Sequence, residues 1–526
     1  MIFMDPVFEF AIVLPARDSR GLLRALHGQL RAAILDGRLK PGLRLPSTRK
    51  LADAYALSRN TVVAAYDLLL SEGYVVARRG SGVYVASMLP RRAEPAQSPV
   101  EAADERRLTP HWRNPPATFV LPPQPPPRFD FALGIPDAAL FPFAIWRRLA
   151  SRAVRTIAKT RAPYAPPRGQ PALRESIAKH VSFARAVACA ADDIVVTSGA
   201  QQAFDLIARI LVTPGRTVVA IEDPGYPPFR TACAAHGAKV VPVPVDGEGL
   251  VVEKIPRDAR IVYVTPSHQF PLGSAMSARR RAALLDFAAA RGAIVVEDDY
   301  DGEFRFGGRP LDALQTLDRA ACVFYVGTFS KSLFPSIRLG YIVAPAWAQR
   351  ALIAAKRDAD WHSPVIEQDT LAAFIAEGHM ARHVRRMRAV YAARRETLLR
   401  HLTDAFGQWA EPIPNLAGLH LSAFAPASAD VPALVDLARR HDVGMFVLRD
   451  LYVGKPARHG FAFGYGAIDE RAIGEAFARL RKAWPDVWPS RSRPPRARAR
   501  TGPDDRPVAA RPPSDRGAPI RRSAGR

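Results

Sequence analysis

Residues 293–300, AIVVEDDY, begin with four apolar positions and end in three acids and a tyrosine. A short apolar run that stops at polar side chains is typical of a buried strand whose end faces a ligand. Residues 322–331, CVFYVGTFSK, show the same pattern, an apolar run followed by polar side chains, and end at Lys331. The two stretches therefore predict neighbouring buried strands with functional groups at their ends.

Further strand-like runs lie on both sides of these two stretches. The predicted strands are residues 193–197, 217–221, 239–245 and 260–265. Segments with helical spacing, such as residues 277–291, separate several of the strands. Alternating strands and helices predict an α/β fold with a mostly parallel sheet, in which ligands gather at the carboxyl ends of the strands.

The groups at these strand ends are the ones that hold pyridoxal phosphate (PLP). A lysine forms an imine with the aldehyde, an acid pairs with the pyridine nitrogen, and an arginine with small hydroxyls binds the phosphate. Lys331, Asp298 and Arg338 offer these three groups. Residues 198–201, SGAQ, open a helix after a strand, where backbone N–H groups favour a phosphate.

Two more strand ends carry compatible side chains. Tyr226 follows one strand and could stack on a pyridine ring, or pack in the core. Residues 267–271, SHQFP, follow another and place polar atoms of His268 near the 3-oxygen of the ring. Exposed lysines and strand-end acids are common by themselves, so the prediction rests on five such ends in one sheet.

The first 86 residues have a different pattern. Ser47 and Ser58 are good N-caps for two short helices, and a basic, glycine-rich tip separates two short β runs. Helix, turn, helix and hairpin is the order of a winged helix-turn-helix. The predicted elements are helices over residues 22–35, 47–55 and 58–71 and β runs over residues 74–77 and 83–85.

The predicted DNA contacts are polar or basic residues at the starts of two helices and at the hairpin tip. Such a helix start can enter a major groove, and a basic wing can lie on the adjacent groove. A solvated basic face on a small helical domain is the simpler alternative. The predicted contacts are Arg44, Ser47, Arg49, Ser58, Arg59, Asn60, Thr61, Arg78, Arg79 and Gly80.

Residues 37–52, GRLKPGLRLPSTRKLA, with 58–62, SRNTV, and 72–74, EGY, closely resemble the winged helix of the GntR family. The region from 129 to 485 resembles the fold-type I (class I) aminotransferases, which are PLP-dependent transferases. The forms SHQFP at 267–271, EDDYD at 297–301 and GTFSKSL at 327–333 resemble those of the MocR-type regulators, in which this domain follows a GntR winged helix. The resemblance implies a PLP-dependent transcriptional regulator that binds a specific double-stranded DNA operator.

The resemblance also implies a role for individual residues. Lys331 would form the Schiff base with PLP, Asp298 would pair with the pyridine nitrogen, and Tyr300 would hydrogen-bond the 3-oxygen. Tyr226 would stack on the ring. The residues implied at the phosphate are Ala200, Gln201, Thr328, Ser330 and Arg338. Tyr164 matches the tyrosine that reaches the phosphate of the neighbouring subunit, which implies a homodimer, described in the family as head-to-tail.

One position departs from the aminotransferase pattern. These enzymes carry an arginine near the C-terminus that clamps the substrate carboxylate, and here Ala467 or a neighbour stands in its place. Arg458 and His459 do not fit the spacing. The departure favours PLP itself, or an amine that reacts with it, as the effector, with at most a residual transaminase half-reaction. A working aminotransferase and a cofactor-free dimerisation scaffold remain the alternative readings.

Composition divides the chain of 526 residues, whose net charge is +24, into four parts. We expect a winged helix over 1–86, a linker over 87–128 with eleven prolines, and a PLP-binding effector and dimerisation domain over 129–486. The last part, 487–526, holds eleven arginines against three aspartates and is expected to be disordered. It could add non-specific DNA affinity or be unselected sequence.

Several classes of protein are not expected. The three cysteines, Cys189, Cys233 and Cys322, lie far apart, which argues against a disulfide framework and a zinc site, so no metal is expected. No stretch reaches the roughly 20 apolar residues of a membrane span, and the start lacks a basic leader region. A cytoplasmic location is the expectation that follows.

Overall fold

The computed structural model describes residues 7–15, 21–87, 107–113, 125–161, 163–307, 312–406 and 410–484. The chain divides between Arg107 and Leu108 into two compact units. Most of the predicted linker, and all of the predicted tail, lie outside the described residues, so the four-part division remains a prediction. None of the helices in the described ranges is long and apolar enough to cross a membrane.

The first unit has the predicted order of helix, helix, helix and hairpin. Ser47 and Ser58 are the N-caps of its second and third helices, as their sequence positions predicted. The two strands pair antiparallel, with Arg78 opposite Gly82 next to the tip. The elements are α1 (Leu22–Leu35), α2 (Thr48–Ala54), α3 (Arg59–Ser71), β1 (Val75–Arg78) and β2 (Gly82–Val85).

A small apolar core holds these elements together. Leu26 and Leu30 of α1, Leu51 of α2 and Leu69 of α3 are buried against one another. The buried Tyr66 of α3 donates a hydrogen bond from its hydroxyl to the Pro46 carbonyl at 2.9 Å. This bond fixes α3 relative to the turn that precedes α2, and so sets the angle between the two helices.

The second unit begins with a single helical turn, α4 (Pro110–Arg113), inside the segment predicted as an extended linker. The Thr109 carbonyl accepts the first hydrogen bonds of this turn from Trp112 and Arg113. The remaining helices are α5 (Phe143–Ile157), α6 (Pro171–Arg185), α7 (Ala200–Leu211), α8 (Pro227–Ala235), α9 (Ala278–Arg291), α10 (Leu314–Leu317), α11 (Ala346–Asp360), α12 (Val365–Ala376), α13 (His379–Phe406), α14 (Val431–Arg440) and α15 (Glu470–Ala483).

The strands of this unit form one large sheet and two smaller ones. They are β3 (Phe129–Asp130), β4 (Ile194–Thr197), β5 (Val218–Asp223), β6 (Lys239–Asp246), β7 (Gly249–Leu250), β8 (Ala259–Val264), β9 (Ile294–Asp299), β10 (Val323–Thr328), β11 (Gly340–Val343), β12 (Glu411–Pro412), β13 (His420–Phe424), β14 (Val443–Gly444), β15 (Phe446–Val447) and β16 (Gly460–Gly464).

The eight-stranded sheet has the order β4-β11-β10-β9-β8-β5-β6-β7. β5, β6, β8, β9 and β10 run parallel, whereas β11 is antiparallel to both of its neighbours. Every residue of β4 and β10 is buried, because helices cover both faces of the sheet. The carboxyl ends of β4, β5, β8, β9 and β10 therefore meet at one edge, which confirms the mostly parallel α/β fold.

A smaller sheet, β12-β13-β16-β15, lies near the C-terminus of this unit. β3 pairs in parallel with β14, so Phe129 lies opposite Val443. That pair joins the first strand of the unit to its last part. It brings the segment that follows β3, and the start of β13 at His420, to the edge where the parallel strands end.

Candidate cofactor site and DNA-binding face

A cavity of about 360 Å³ lies where the parallel strands end. The predicted cofactor contacts line it, except for Tyr164 and His268. Those that line it are Ala200, Gln201, Tyr226, Asp298, Tyr300, Thr328, Ser330, Lys331 and Arg338. The structure therefore brings together residues from the ends of β4, β5, β9 and β10, together with Arg338 before β11, that lie far apart in the sequence.

Asp298, the next-to-last residue of β9, is the acidic side chain of the cavity and is 2% exposed. Its Oδ2 accepts a hydrogen bond from the Tyr263 hydroxyl at 2.6 Å. Its Oδ1 is buried and has no hydrogen-bond partner among the described residues. Burial raises the pKa of Asp298 to about 7, because the carboxylate has lost its water. An acceptor in this state is suited to a ligand that brings a proton or a positive charge.

Lys331 follows the end of β10, and β10 pairs with β9, the strand that holds Asp298. Burial lowers the pKa of its amine, although the carboxylates of Asp301 and Asp298 oppose that shift. A neutral amine is the nucleophilic form of lysine. Gly134 lies against this side chain, and a Cβ at Gly134 would come within 2.7 Å of Lys331 Nζ. Only glycine fits there without displacing the lysine.

The other end of the cavity is cationic and rich in N–H groups. Gly199 has a φ of +82° and precedes α7, which begins at Ala200. Arg338 donates from Nη2 to the Ser198 carbonyl at 2.9 Å. A Cβ on Gly199 would lie 2.8 Å from the Arg338 guanidinium. A helix start beside a guanidinium, with room kept by a glycine, is suited to a phosphate.

Two hydroxyls lie beside this end of the cavity. Thr328 Oγ1 donates to Ser330 Oγ at 3.1 Å, and the Ser330 N–H donates back to Thr328 Oγ1 at 3.2 Å. Both side chains are buried. Because the two residues bond each other, their hydroxyls are held in the turn between β10 and Lys331.

His268 lies behind the cavity wall and contacts it through Tyr300. Its Nδ1 is 2.9 Å from the Tyr300 hydroxyl and 2.9 Å from Asp301 Oδ2. The Tyr300 hydroxyl also donates to the His268 carbonyl at 3.0 Å. His268 therefore contacts Tyr300, which lines the cavity, but is not itself among the lining residues, so its predicted contact with the cofactor remains a prediction.

Sequence reasoning missed five lining residues: Leu133, Gly134, Phe270, Pro335 and His420. Phe270 stands in a motif that was noted, and its ring contacts that of Tyr226 edge-on at 5.3 Å. His420 comes from β13 and bonds the Pro271 carbonyl through Nε2 at 3.0 Å. No local signal marks His420 or Leu133, because only the chain's return through the small sheet places them here.

His268, Asp301 and His420 also place three possible metal-ligand atoms within 4.8 Å of one another. His268 Nδ1 is already bonded to Asp301 and Tyr300, and His420 Nε2 to the Pro271 carbonyl. Hydrogen bonds within the wall thus engage His268 Nδ1 and His420 Nε2, two of the possible ligand atoms.

Tyr164 lies outside the cavity of its own chain and is 80% exposed. Its ring packs against that of Trp361 at 5.1 Å between centroids. Arg458, considered as a substitute carboxylate clamp, stacks over Phe424 at 3.8 Å and pairs with Glu411. Among the described residues that line the cavity, the lysine and arginine side chains are those of Lys331 and Arg338, and Arg458 is not among the lining residues.

The predicted DNA contacts of α3 are grouped at its N-terminus. Ser58, Arg59 and Asn60 are exposed there. Ser58 Oγ accepts a hydrogen bond from the Thr61 N–H at 3.1 Å and lies 2.8 Å from Thr61 Oγ1. Ser58 and Thr61 are thus bonded to each other at the helix N-terminus. Of the predicted contacts in this helix start, Arg59 and Asn60 are the exposed side chains that do not take part in the cap.

The contacts at α2 and the hairpin are also exposed. Ser47 accepts from the Lys50 N–H at 3.2 Å, and Arg49 points outward. The Arg78 guanidinium lies over the Tyr84 ring at 4.6 Å, and that of Arg44 lies against Gly82. Arg79 and Gly80 form the exposed tip, where Gly80 has a φ of +71°.

Two family models match the chain. Residues 23–85 match the bacterial regulatory proteins of the gntR family, and residues 130–456 match aminotransferase class I and II. The probable rhizopine catabolism regulatory protein MocR of Rhizobium meliloti is 37% identical over 88% of this chain and 93% of its own length. The chain belongs to the MocR-type GntR regulators. It is thus a DNA-binding transcriptional regulator with an aminotransferase-like domain.

Other matches of this MocR-type chain agree. The pyridoxine biosynthesis transcriptional regulator PdxR of Corynebacterium glutamicum is 32% identical over 90% of this chain and 98% of its own. The solved structure of kynurenine aminotransferase from Pyrococcus horikoshii is 28% identical, with a TM-score of 0.63, over 68% of this chain and 91% of that one. The second unit therefore has the fold-type I fold and is a PLP-binding domain.

The residues present fit that cofactor. The buried, unpartnered Asp298 Oδ1 suits a ring nitrogen that carries a proton. The space beside Gly134 leaves Lys331 accessible, and the space beside Gly199 leaves Arg338 and the start of α7 accessible. The chemistry of these groups thus matches an aldehyde, a protonated pyridine nitrogen and a phosphate.

Proposed function

We propose that PLP is the signal that this regulator reads, and that its binding in the second unit alters DNA binding by the first. One observation carries the proposal: Asp298 Oδ1 is buried and unpartnered in a cavity that Lys331 also lines. Burying a carboxylate oxygen that has no hydrogen-bond partner among the described residues is costly. A scaffold without a cofactor has no need for this arrangement.

The cavity residues divide the cofactor among them in this proposal. Lys331, whose amine has a pKa lowered by burial, would form an imine with the aldehyde with loss of water, and Asp298 would pair with the protonated ring nitrogen. Tyr300, whose hydroxyl contacts His268, would turn this hydroxyl toward the 3-oxygen to hydrogen-bond it. Tyr226 covers one face of the ring. The N–H groups of Ala200 and Gln201, with Thr328, Ser330 and Arg338, bind the phosphate.

PLP supplies an aldehyde that reacts with amines, so the effector is either PLP itself or an amine that reacts with it. The cavity favours PLP itself, because its described lining offers no third cationic side chain for a carboxylate. The name of the relative PdxR, a pyridoxine biosynthesis regulator, supports the same choice. A working aminotransferase is the alternative, and turnover of an amino donor with a keto acid would favour it.

We further propose that the protein acts as a homodimer, head-to-tail, in the cytoplasm. Tyr164 is far more exposed than a tyrosine packed in a hydrophobic core, and Trp361 beside it is also exposed. This exposed aromatic pair is suited to a second copy, whose phosphate Tyr164 would reach. The partner of the first unit is a double-stranded DNA operator, whose contacts are the residues assigned to α2, α3 and the wing.

The test is binding of the purified protein to the DNA upstream of its own gene, with PLP or with pyridoxine 5'-phosphate. The second compound has no aldehyde, so it cannot join Lys331. We expect salt-sensitive, sequence-specific binding that PLP changes and pyridoxine 5'-phosphate does not. Visible absorbance of lysine-bound PLP without any change in DNA binding would overturn the sensing proposal.

A further inference from the structure

Lys356 of α11 is a buried cation outside the cavity. Its side chain is 0% exposed. Nζ donates to Gln202 Oε1 at 2.8 Å, to the two Asp360 carboxylate oxygens at 2.7 and 2.8 Å, and to Ser363 Oγ at 3.2 Å. An ammonium has three N–H donors, so these three partners satisfy it. A lysine buried and bonded in this way holds its neighbours in one arrangement.

Gln202, on the first turn of α7, is the neighbour that leads toward the cavity. Its Oε1 accepts from both Lys356 Nζ and the Ser198 N–H, each at 2.8 Å. Its Nε2 donates to Asp360 Oδ2 at 2.7 Å. The amide of Gln202 is therefore fixed at both ends, and the Lys356–Asp360 pair decides which way it faces.

Ser198 begins the segment 198–201, here called the phosphate turn. Gln202 holds its N–H, and Arg338 holds its carbonyl at 2.9 Å. The backbone is thus clamped on both sides immediately before Gly199, whose φ of +82° turns the chain into α7. The direction in which the N–H groups of Ala200 and Gln201 point depends on that clamp.

We propose that Lys356 is a positioning residue for the cofactor phosphate: it holds Gln202, which holds Ser198 and so aims the phosphate turn. This rests on the proposed function, in which the phosphate turn binds the phosphate of PLP. Lys356 does not line the cavity, so it acts through Gln202 and not by contact with the cofactor.

A purely structural lysine and a positioning lysine differ in what their loss does. Loss of a structural residue lowers thermal stability and weakens every ligand of the cavity alike. Loss of a residue that aims the phosphate turn weakens a ligand with a phosphate and spares one without it. PLP and pyridoxal, which differ only in the phosphate, make that distinction.

The experiment measures the Kd of PLP and of pyridoxal for cofactor-free full-length protein by visible absorbance, with the Tm of each variant. For Lys356→Met we expect the Kd of PLP to rise about tenfold, since misdirected donors lose part of a charge-assisted interaction, and the Kd of pyridoxal to stay unchanged. Gln202→Ala removes the link itself and should give the same selective loss, so it decides the matter if the first variant does not fold.

Gln349→Met is the matched control. Gln349 is a buried residue of the same helix that donates to the Asp193 and Ala344 carbonyls, at the opposite end of β4 from the phosphate turn. It should lower the Tm without changing the ratio of the two Kd values. An equal loss of both ligands in the Lys356 and Gln202 variants, or no loss, would overturn the positioning role. Failure of the wild type to bind PLP would instead overturn the proposed function.

Discussion

The DNA-binding face and the cofactor cavity place their residues in opposite ways. The DNA-binding face comes from one continuous stretch, from Arg44 to Gly80, and its contacts lie in water. The cavity gathers residues from Leu133 to His420 and buries several of them, Asp298 and His420 nearly completely. Charges on the face are screened by salt, whereas burial in the cavity raises the pKa of Asp298 and lowers the pKa of Lys331. In the proposed function, the first region would bind a polyanion through exposed charge, and the second would bind a small molecule through buried polar groups.

The largest expected effect is that of Lys331→Ala. Without the amine, PLP cannot be bound covalently, so the visible absorbance and the PLP-dependent change in DNA binding should both be lost. DNA binding without PLP should stay within about twofold of the wild type, because Lys331 lies in the second unit and its substitution removes none of the proposed DNA contacts. Gel-shift and absorbance titrations measure the two effects separately. A PLP response that survives in this variant would show that the cavity is not the sensor.

Asp298→Asn should come next in size. It removes the charge that pairs with the ring nitrogen, so the Kd of PLP should rise about a hundredfold, as for loss of a buried ion-pair partner. Tyr263→Phe, which removes only the hydrogen bond to Asp298 Oδ2, should raise it about fivefold. Equal Kd values for wild type and Asp298→Asn would contradict the proposed role of Asp298.

Arg59→Ala tests the other region. Arg59 is exposed at the start of α3, and its loss should weaken operator binding about tenfold or more, with PLP absorbance unchanged. Arg24→Ala, on an exposed position of α1 outside the proposed face, is the control and should have little effect. If the Arg59 variant weakened PLP binding as well, the two regions would not be separable.

The smallest effect concerns pH. The pKa of Asp298 in the folded protein is about 7, above the ordinary value of about 3.9, so the folded chain holds a proton that the unfolded chain has lost between these pH values. That contribution to stability is complete below pH of about 4 and is lost as the pH rises through about 7. The Tm of the cofactor-free wild type relative to Asp298→Asn should therefore fall across this range. A constant difference would contradict the raised pKa.

The winged helix could be predicted almost residue by residue, because its signals are local. Ser47 and Ser58 are helix N-caps at their predicted positions. The predicted strands of the hairpin, 74–77 and 83–85, differ from β1 and β2 by one residue at both ends of β1 and at the start of β2. The strand ends of the cavity were also predictable from apolar runs that stop at polar groups. Gly134 and His420 were not, because β3, β14 and the small sheet bring them in from distant parts of the chain.

The sequence by itself determined the two kinds of unit, the cofactor and the lysine that we propose binds it, because motifs and strand ends consist of neighbouring residues. Only the tertiary structure decided what surrounds them. Lys356 and Asp360 are four residues apart on one helix, a spacing that usually means an exposed ion pair. Packing instead buries Lys356 behind the phosphate turn. Burial depends on segments that meet in space, and no local pattern records which segments those will be.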